Sequence, residues 1–251
     1  MKRLRTGVRG LDEMLSGGLL PGSIALVQGA PGTGKTTLGF QFLCQGAAQG
    51  ETGLLITFEE FPQELYRDAL AYGLDLRQLE SEDRLRVIFT SPEELLEELR
   101  APDSPLATDI HRLGAKRIVV DCASQYQELT RDPVELRGIY RTLVGALKRE
   151  GLTGLLTAED YRLFGHQDEQ AHGLTFLVDV VVLLRYVEIE SGMRRAILVL
   201  KMRGSDHDKE IRQFRIGARG LEVEGGFKGR EGVLTGSPRQ SVTQRALEAF
   251  G

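Results

Sequence analysis

The segment Gly29-Ala30-Pro31-Gly32-Thr33-Gly34-Lys35-Thr36 matches G-x-x-x-x-G-K-[ST] at every defined position. It lies between a short apolar run, Ile24–Gln28, and a helix-like stretch, Thr36–Gln49. Glycines at such a place let the backbone curl around phosphates with its N–H groups turned inward, and the start of a helix adds positive potential. Lys35 is expected on the terminal phosphates of a nucleoside triphosphate and the Thr36 hydroxyl on Mg²⁺, with Gly32, Thr33, Gly34 and Thr37 completing the cradle. The competing reading is a glycine-rich turn that binds nothing. Asp121 ends the apolar run Arg117–Val120. A carboxylate closing a buried strand needs compensation, and in a parallel nucleotide-binding sheet that end faces the ligand crevice. Asp121 is expected to serve Mg²⁺, directly or through its water; its alternative is a helix N-cap.

Glu59 and Glu60 close the apolar run Leu54–Phe58, where an acid can orient or deprotonate an attacking water. Neighbours on a strand point opposite ways, so Glu59 is expected as the base, near the metal, and Glu60 as its partner. Solvated charge at a strand end is the other reading. Late in the chain, Lys201 and Arg203 stand two apart on a strand-like run and so share a face. Two cations on one face call for an anion, and a guanidinium matches phosphate geometry. A solvated edge strand guarded by lysine is the alternative.

The elements that would carry these groups alternate. Apolar runs at Ile24–Gln28, Leu54–Phe58, Leu85–Phe89, Ile118–Val120 and Leu152–Thr157 are separated by helix-like stretches, among them one from Pro62 to about Tyr72 and Val134–Arg149. That rhythm predicts an α/β fold with a central, mostly parallel sheet flanked by helices. The rhythm then changes. Val180–Tyr186, Ala196–Met202 and Ile211–Ile216 follow with short turns and no room for helices, which predicts antiparallel strands added toward the C-terminus. A single domain over residues 1–224 is expected, with 225–251 a Gly- and Arg-rich tail, partly flexible or docked on a neighbour, that includes the amphipathic stretch Val242–Phe250.

At 41% hydrophobic and 27% charged residues, the composition is that of a chain able to bury one sizeable core. Thirty-two basic against thirty-six acidic residues leave a net charge of -4, which does not advertise nucleic acid. Cys44 and Cys122 sit in apolar surroundings and read as reduced, buried thiols. Met1–Arg5 is basic but lacks the apolar run of a signal peptide, and no segment has the apolar length of a membrane span. A cytoplasmic, soluble protein is the expectation.

Beyond these local arguments, Thr6-Gly7-Val8-Arg9-Gly10-Leu11-Asp12, Gly17-Gly18-Leu19, the phosphate loop and Thr57-Phe58-Glu59-Glu60 together resemble the KaiC family. This is a branch of the RecA-like P-loop NTPases that includes the cyanobacterial clock protein. The likeness runs through Leu184–Glu188, Arg195-Ala196, Lys201-Met202-Arg203-Gly204-Ser205, His207-Asp208-Lys209 and Gly236-Ser237-Pro238. It implies a homo-oligomer, a hexameric ring with ATP and Mg²⁺ bound at each subunit interface. In such a ring Lys201 and Arg203 would reach a neighbour's γ-phosphate. Arg195, Met202, Ser205, His207 and Lys209 would lie along the nucleotide, and Tyr72 near the adenine. Packing roles remain open for His207 and Tyr72. The chain differs from the clock protein in carrying one ATPase unit rather than two. In Leu174–Asp179, where that protein has paired phosphorylation sites, only Thr175 offers a hydroxyl beside Phe176.

The leading expectation is therefore a slow ATPase ring in signalling or regulation, with a regulatory protein partner and autokinase activity as further implications. A DNA-dependent, recombinase-like ATPase is the runner-up, using loops at Cys122–Pro133 and Asp160–Gly173. The second loop sets Asp160, Asp168 and Glu169 against Arg162 alone, which speaks against phosphate contacts, although Arg239 and Arg245 in the tail remain cationic. A third reading is an interaction module shaped by ATP, with incidental turnover.

Overall fold

A computed structural model describes residues 2–160, 172–227, 230–233 and 239–240. Arg162, Asp168, Glu169, Gly236–Pro238, Arg245 and the stretch Val242–Phe250 lie outside the described residues. The chain opens with a single helical turn, α1 (Leu11–Met14), and then alternates: β1 (Ile24–Gly29), α2 (Lys35–Ala48), β2 (Gly53–Thr57), α3 (Pro62–Leu70), α4 (Leu76–Ser81) and β3 (Leu85–Phe89). There follow α5 (Pro92–Arg100), α6 (Pro105–Leu113), β4 (Arg117–Asp121), a 3-10 helix (Ala123–Glu128), α7 (Pro133–Arg149), β5 (Thr153–Glu159) and α8 (His172–Leu177). The last third is β6 (Val180–Ile189), β7 (Gly192–Met202), β8 (Arg212–Gly217) and β9 (Gly220–Gly226), with a small β10–β11 pair at Arg230–Glu231 and Arg239–Gln240.

Nine strands form one sheet in the order β3-β2-β4-β5-β1-β6-β7-β8-β9. The first six in that order are mutually parallel, and β7, β8 and β9 extend the edge in antiparallel fashion. This is the predicted architecture with one refinement. β6, expected among the antiparallel strands, pairs in parallel with β1 through Ala25↔Val180 to Gly29↔Leu184, and the turn to antiparallel comes one strand later. The helix α8 that precedes it supplies the crossover such a parallel pairing requires.

Strand residues alternate between two buried layers, as the two-residue pleat dictates. Ile24, Leu26, Leu54, Ile56, Ile118, Val120 and Leu156 face the layer covered by α5, α6, α7 and α8. Ala25, Val27, Leu55, Val119 and Leu155 face the layer of α1 to α4. Local signals fix the helix starts. Ser91 and Ser104 accept from the N–H groups of Glu94 (3.2 Å) and Ala107 (3.1 Å), and Asp132 accepts from Val134 (2.8 Å). Each is followed by a proline at the first helical position. None of these helices is long and apolar enough to cross a membrane among the described residues.

One charged side chain is enclosed by this packing. Arg117, at the start of β4, is 0% exposed. Its guanidinium donates to Arg5 O (2.7 Å), Phe42 O (2.9 Å), Gln49 Oε1 (3.2 Å) and the Glu51 carboxylate (2.7 and 2.8 Å), and lies 4.6 Å from the Phe42 ring centroid. All five N–H groups are thereby satisfied, which is the condition under which a buried cation is tolerated. A Cβ on Gly46 would stand 2.4 Å from the Arg117 Cδ, so α2 can approach β4 this closely only with glycine there. Arg117→Ala is expected to lower unfolding free energy by about 3 kcal/mol, read as a shift of the urea midpoint, because it strands Glu51 and two carbonyls.

Candidate nucleotide site

The glycine loop follows β1 directly and ends where α2 begins. Gly32 (φ +75°) and Gly34 (φ +100°) adopt left-handed backbone, and a Cβ on Gly34 would meet Ile216 Cδ1 at 2.6 Å. The loop therefore curls as the motif predicts, with β8 against its back. Lys35 is 7% exposed, and its ammonium donates to Gly29 O (3.0 Å) and Ala30 O (3.2 Å), which holds it folded over the loop's mouth. Thr33 donates to Ala30 O at 2.7 Å.

Asp121 stands at the C-terminal end of β4, two strands from β1. One carboxylate oxygen accepts the Thr36 hydroxyl at 2.6 Å, and the other accepts the Thr157 hydroxyl in a short bond. The 3-10 helix that follows has Cys122 at its N-cap, with no side-chain capping bond, so the carboxylate does not cap it. It is aimed at the first turn of α2. Thr36 and Asp121 are thus the pair of oxygen donors available to a hard divalent cation, and their approach from two separate elements fits Mg²⁺.

β2 ends at Thr57, and Phe58 to Glu60 form a bend rather than more strand. Strand alternation therefore does not govern the two glutamates; the bend does. Glu60 lines a cleft with Gly32, Lys35, Thr36, Tyr72 and Arg195. Glu59 turns toward β4 and β5, where it accepts a short hydrogen bond from Gln125. Its carboxyl is held above the usual carboxylate range, first by partial loss of water and then by the charges of Glu159, Asp121 and Glu128, with Lys35 pulling the other way. The Glu60 carboxyl is raised as well, by partial burial first and by Asp121 next.

The cleft has a volume of about 600 Å³. Its far wall is the β8–β9 turn, Ile216-Gly217-Ala218. Arg195 leans over the Tyr186 ring (5.5 Å to the centroid), and its Nε is buried without a hydrogen-bond partner. Several participants were not singled out from sequence. Thr157 and Glu159 end β5 as Asp121 ends β4, a signal that was available; Gln125 and the Ile216–Ala218 turn carry no local signature.

The remaining expected residues gather elsewhere. Lys201 pairs with Val181, three residues along β6 from the Leu184 that pairs with Gly29. Its ammonium donates to Thr175 O and Val178 O, both at 2.8 Å, and Arg203 donates to Phe176 O at 2.7 Å. The two cations thus lie on one side as predicted, but their partners are carbonyls at the end of α8. That helix packs on the α7 layer, whereas α2 packs on the opposite one. Within one chain, then, Lys201 and Arg203 are separated by the sheet from the phosphate loop. Ser205 accepts from Arg3 (2.6 Å), Lys209 is 3.8 Å from Asp206, and His207 Nδ1 is buried without a partner. Met202 is 7% exposed and packs within the core. Asp160, counted above as loop charge, is buried and paired with Arg185 at 2.6 Å.

Glycine loop, threonine and strand-end acids on consecutive parallel strands define a P-loop nucleotide-binding domain of the RecA type. The family model "ATPase: KaiC" matches residues 4–226, and the chain belongs to that family. It is 37% identical over 246 residues to the circadian clock oscillator protein KaiC of Thermostichus vulcanus, covering 97% of this chain and 46% of that protein. Similarity to the circadian clock protein KaiC3 of Synechocystis is 35% over 254 residues, with 99% and 49% covered. The KaiC of Synechococcus elongatus is 35% identical over 249 residues, with 98% and 47% covered. The chain thus spans about half the length of these relatives.

Because Glu159 raises the Glu59 pKa, neutralising it lowers that pKa. Glu159→Gln is expected to move the Glu59 carboxyl titration, followed by carbon NMR, to lower pH, and an unmoved curve would show that the two charges do not interact.

Proposed function

We propose that this chain hydrolyses ATP, bound with Mg²⁺ at the interfaces of a homo-oligomeric ring, and that slow turnover serves regulation through a protein partner. The observation that carries the reading is the Thr36–Asp121 hydrogen bond of 2.6 Å at the mouth of a loop whose lysine folds over the same opening. Mg²⁺, held by Thr36 and Asp121, would supply charge neutralisation between the phosphates. Lys35 exchanges its carbonyl partners for phosphate oxygens. Glu59, steadied by Gln125 and raised in pKa, orients the attacking water and takes its proton, and Glu60 shares the cleft wall. A base with a raised pKa accepts a proton better near neutrality.

The ring follows from what the cleft lacks. Lys35 and Arg195 are the cations on its lining, while Lys201 and Arg203 face away across the sheet. A neighbouring copy that presents those two side chains would complete the charge around the γ-phosphate. Autophosphorylation, the finer activity implied by the family, would use Thr175, whose carbonyl already accepts Lys201. The free thiols of Cys44 and Cys122 suit a reducing compartment.

Three outcomes test this. Glu59→Gln and Glu60→Gln, measured singly by single-turnover ATP chase, are expected to slow hydrolysis by about 10²-fold or more while nucleotide binding persists. Equal turnover in wild type and both variants removes the catalytic assignment. Mass measurement in solution should show assembly on addition of ATP and Mg²⁺, and Lys201→Ala/Arg203→Ala should assemble yet turn over ~10³-fold more slowly or worse. A chain that stays monomeric with ATP ends the shared-site reading, and turnover stimulated by single-stranded DNA would favour the recombinase-like alternative.

A further inference from the structure

On the face of the sheet opposite α2, the 3-10 helix, the first turns of α7 and α8 enclose a groove of about 1050 Å³. Arg131, Arg137 and Arg141 line it, and none of the described residues on its lining is acidic. All three arginines are exposed, and among the described residues none has a hydrogen-bond or ion-pair partner for its guanidinium. Arg84, Arg112, Arg212 and Arg215, by contrast, are each paired with carboxylates. Arg137 and Arg141 are one turn apart on α7, about 6 Å along its axis, so both present to the same side. Between these charges are apolar side chains left in water. Val134 is 78% and Phe176 62% exposed.

We propose that this groove docks a short acidic peptide segment of a partner protein, its carboxylates on Arg131, Arg137 and Arg141 and one apolar side chain against Val134 and Phe176. A guanidinium prefers a carboxylate or phosphate that can accept two N–H groups, and an unpaired set of three marks a site whose counter-charge comes from outside. Peptide carboxylates two residues apart on an extended strand, or four apart on a helix, are about 6–7 Å from one another, which matches the spacing on α7. A nucleic-acid strand suits the place less well. Glu128, Asp132 and Glu135 flank the lining residues along the chain and would oppose a continuous phosphate backbone, with its charge at every nucleotide, more than a peptide of few carboxylates. The groove shares no lining residue with the nucleotide cleft, although Phe176, whose carbonyl accepts Arg203, borders the surface that the ring reading sets against a neighbouring copy.

The test is fluorescence anisotropy on the full chain with three labelled probes: the peptide Glu-Glu-Phe-Glu-Glu-Leu, the same peptide with lysine for each glutamate, and an oligothymidylate. The acidic peptide is expected to bind, to weaken as salt rises, and to bind about tenfold more weakly to Arg137→Glu/Arg141→Glu and measurably more weakly to Val134→Asp. Unchanged thermal unfolding and ATP turnover in these variants would show that fold and cleft are intact. No binding of the acidic peptide, equal binding of both peptides, indifference to charge reversal, or preference for the oligothymidylate would each overturn the proposal.

Discussion

The arrangement depends on one carboxylate held by two hydroxyls. Asp121 closes a buried strand where a lone negative charge would be costly, and Thr36 and Thr157 offset that cost from either side. The first bond joins the opening turn of α2 to β4, and the second joins β4 to β5. A side chain that ended β4 without this pair would remove the link between the opening turn of α2 and the centre of the sheet. Since β1, β2, β4 and β5 are parallel, their carboxyl ends open on one rim, and the acids Glu59, Asp121 and Glu159 crowd there together. Partial loss of water lifts the Glu59 carboxyl first and the charges of these neighbours add to it, so the geometry that fixes the loop also bears on the acid–base character of its neighbour.

Much of this was legible beforehand because it rests on local rules. Gly32 and Gly34 sit where the backbone must turn left-handed, and buried apolar runs became the parallel strands to within a residue or two. Asp121 was recognisable because a charge that closes the buried run Ile118-Val119-Val120 needs compensation. Other features were hidden because they come from long-range packing. That Glu59 and Glu60 part company follows from a bend after Thr57, not from strand pleat. Gln125 meets Glu59 only because the 3-10 helix returns over the end of β2. Ile216 closes the back of the loop at Gly34 although it lies far along the chain, and no window of sequence displays that.

Lys201 and Arg203 illustrate how a sound inference can find an unforeseen partner. Two cations on one face did require negative charge, and the carbonyl end of α8 provides it. Their place across the sheet from the glycine loop leaves Lys35 and Arg195 as the cations among the described residues that line the cleft. Any assembly that brought the two surfaces together would have to withdraw those cations from α8, so the position of that helix and the occupancy of an adjoining cleft become linked quantities.

The side chain of Gln41 imitates a strand. Its amide donates to Leu221 O (3.2 Å) and accepts from Leu221 N (2.8 Å), and Gly220 leaves it the room to do so. Through this double clasp the outermost hairpin is fastened to the helix that springs from the glycine loop. Floor and far wall of the cleft are thereby tied to one another. The opposite lip, Ala71 and Tyr72, follows α3, which buries only Leu65 and Ala69 and so is held by fewer apolar contacts.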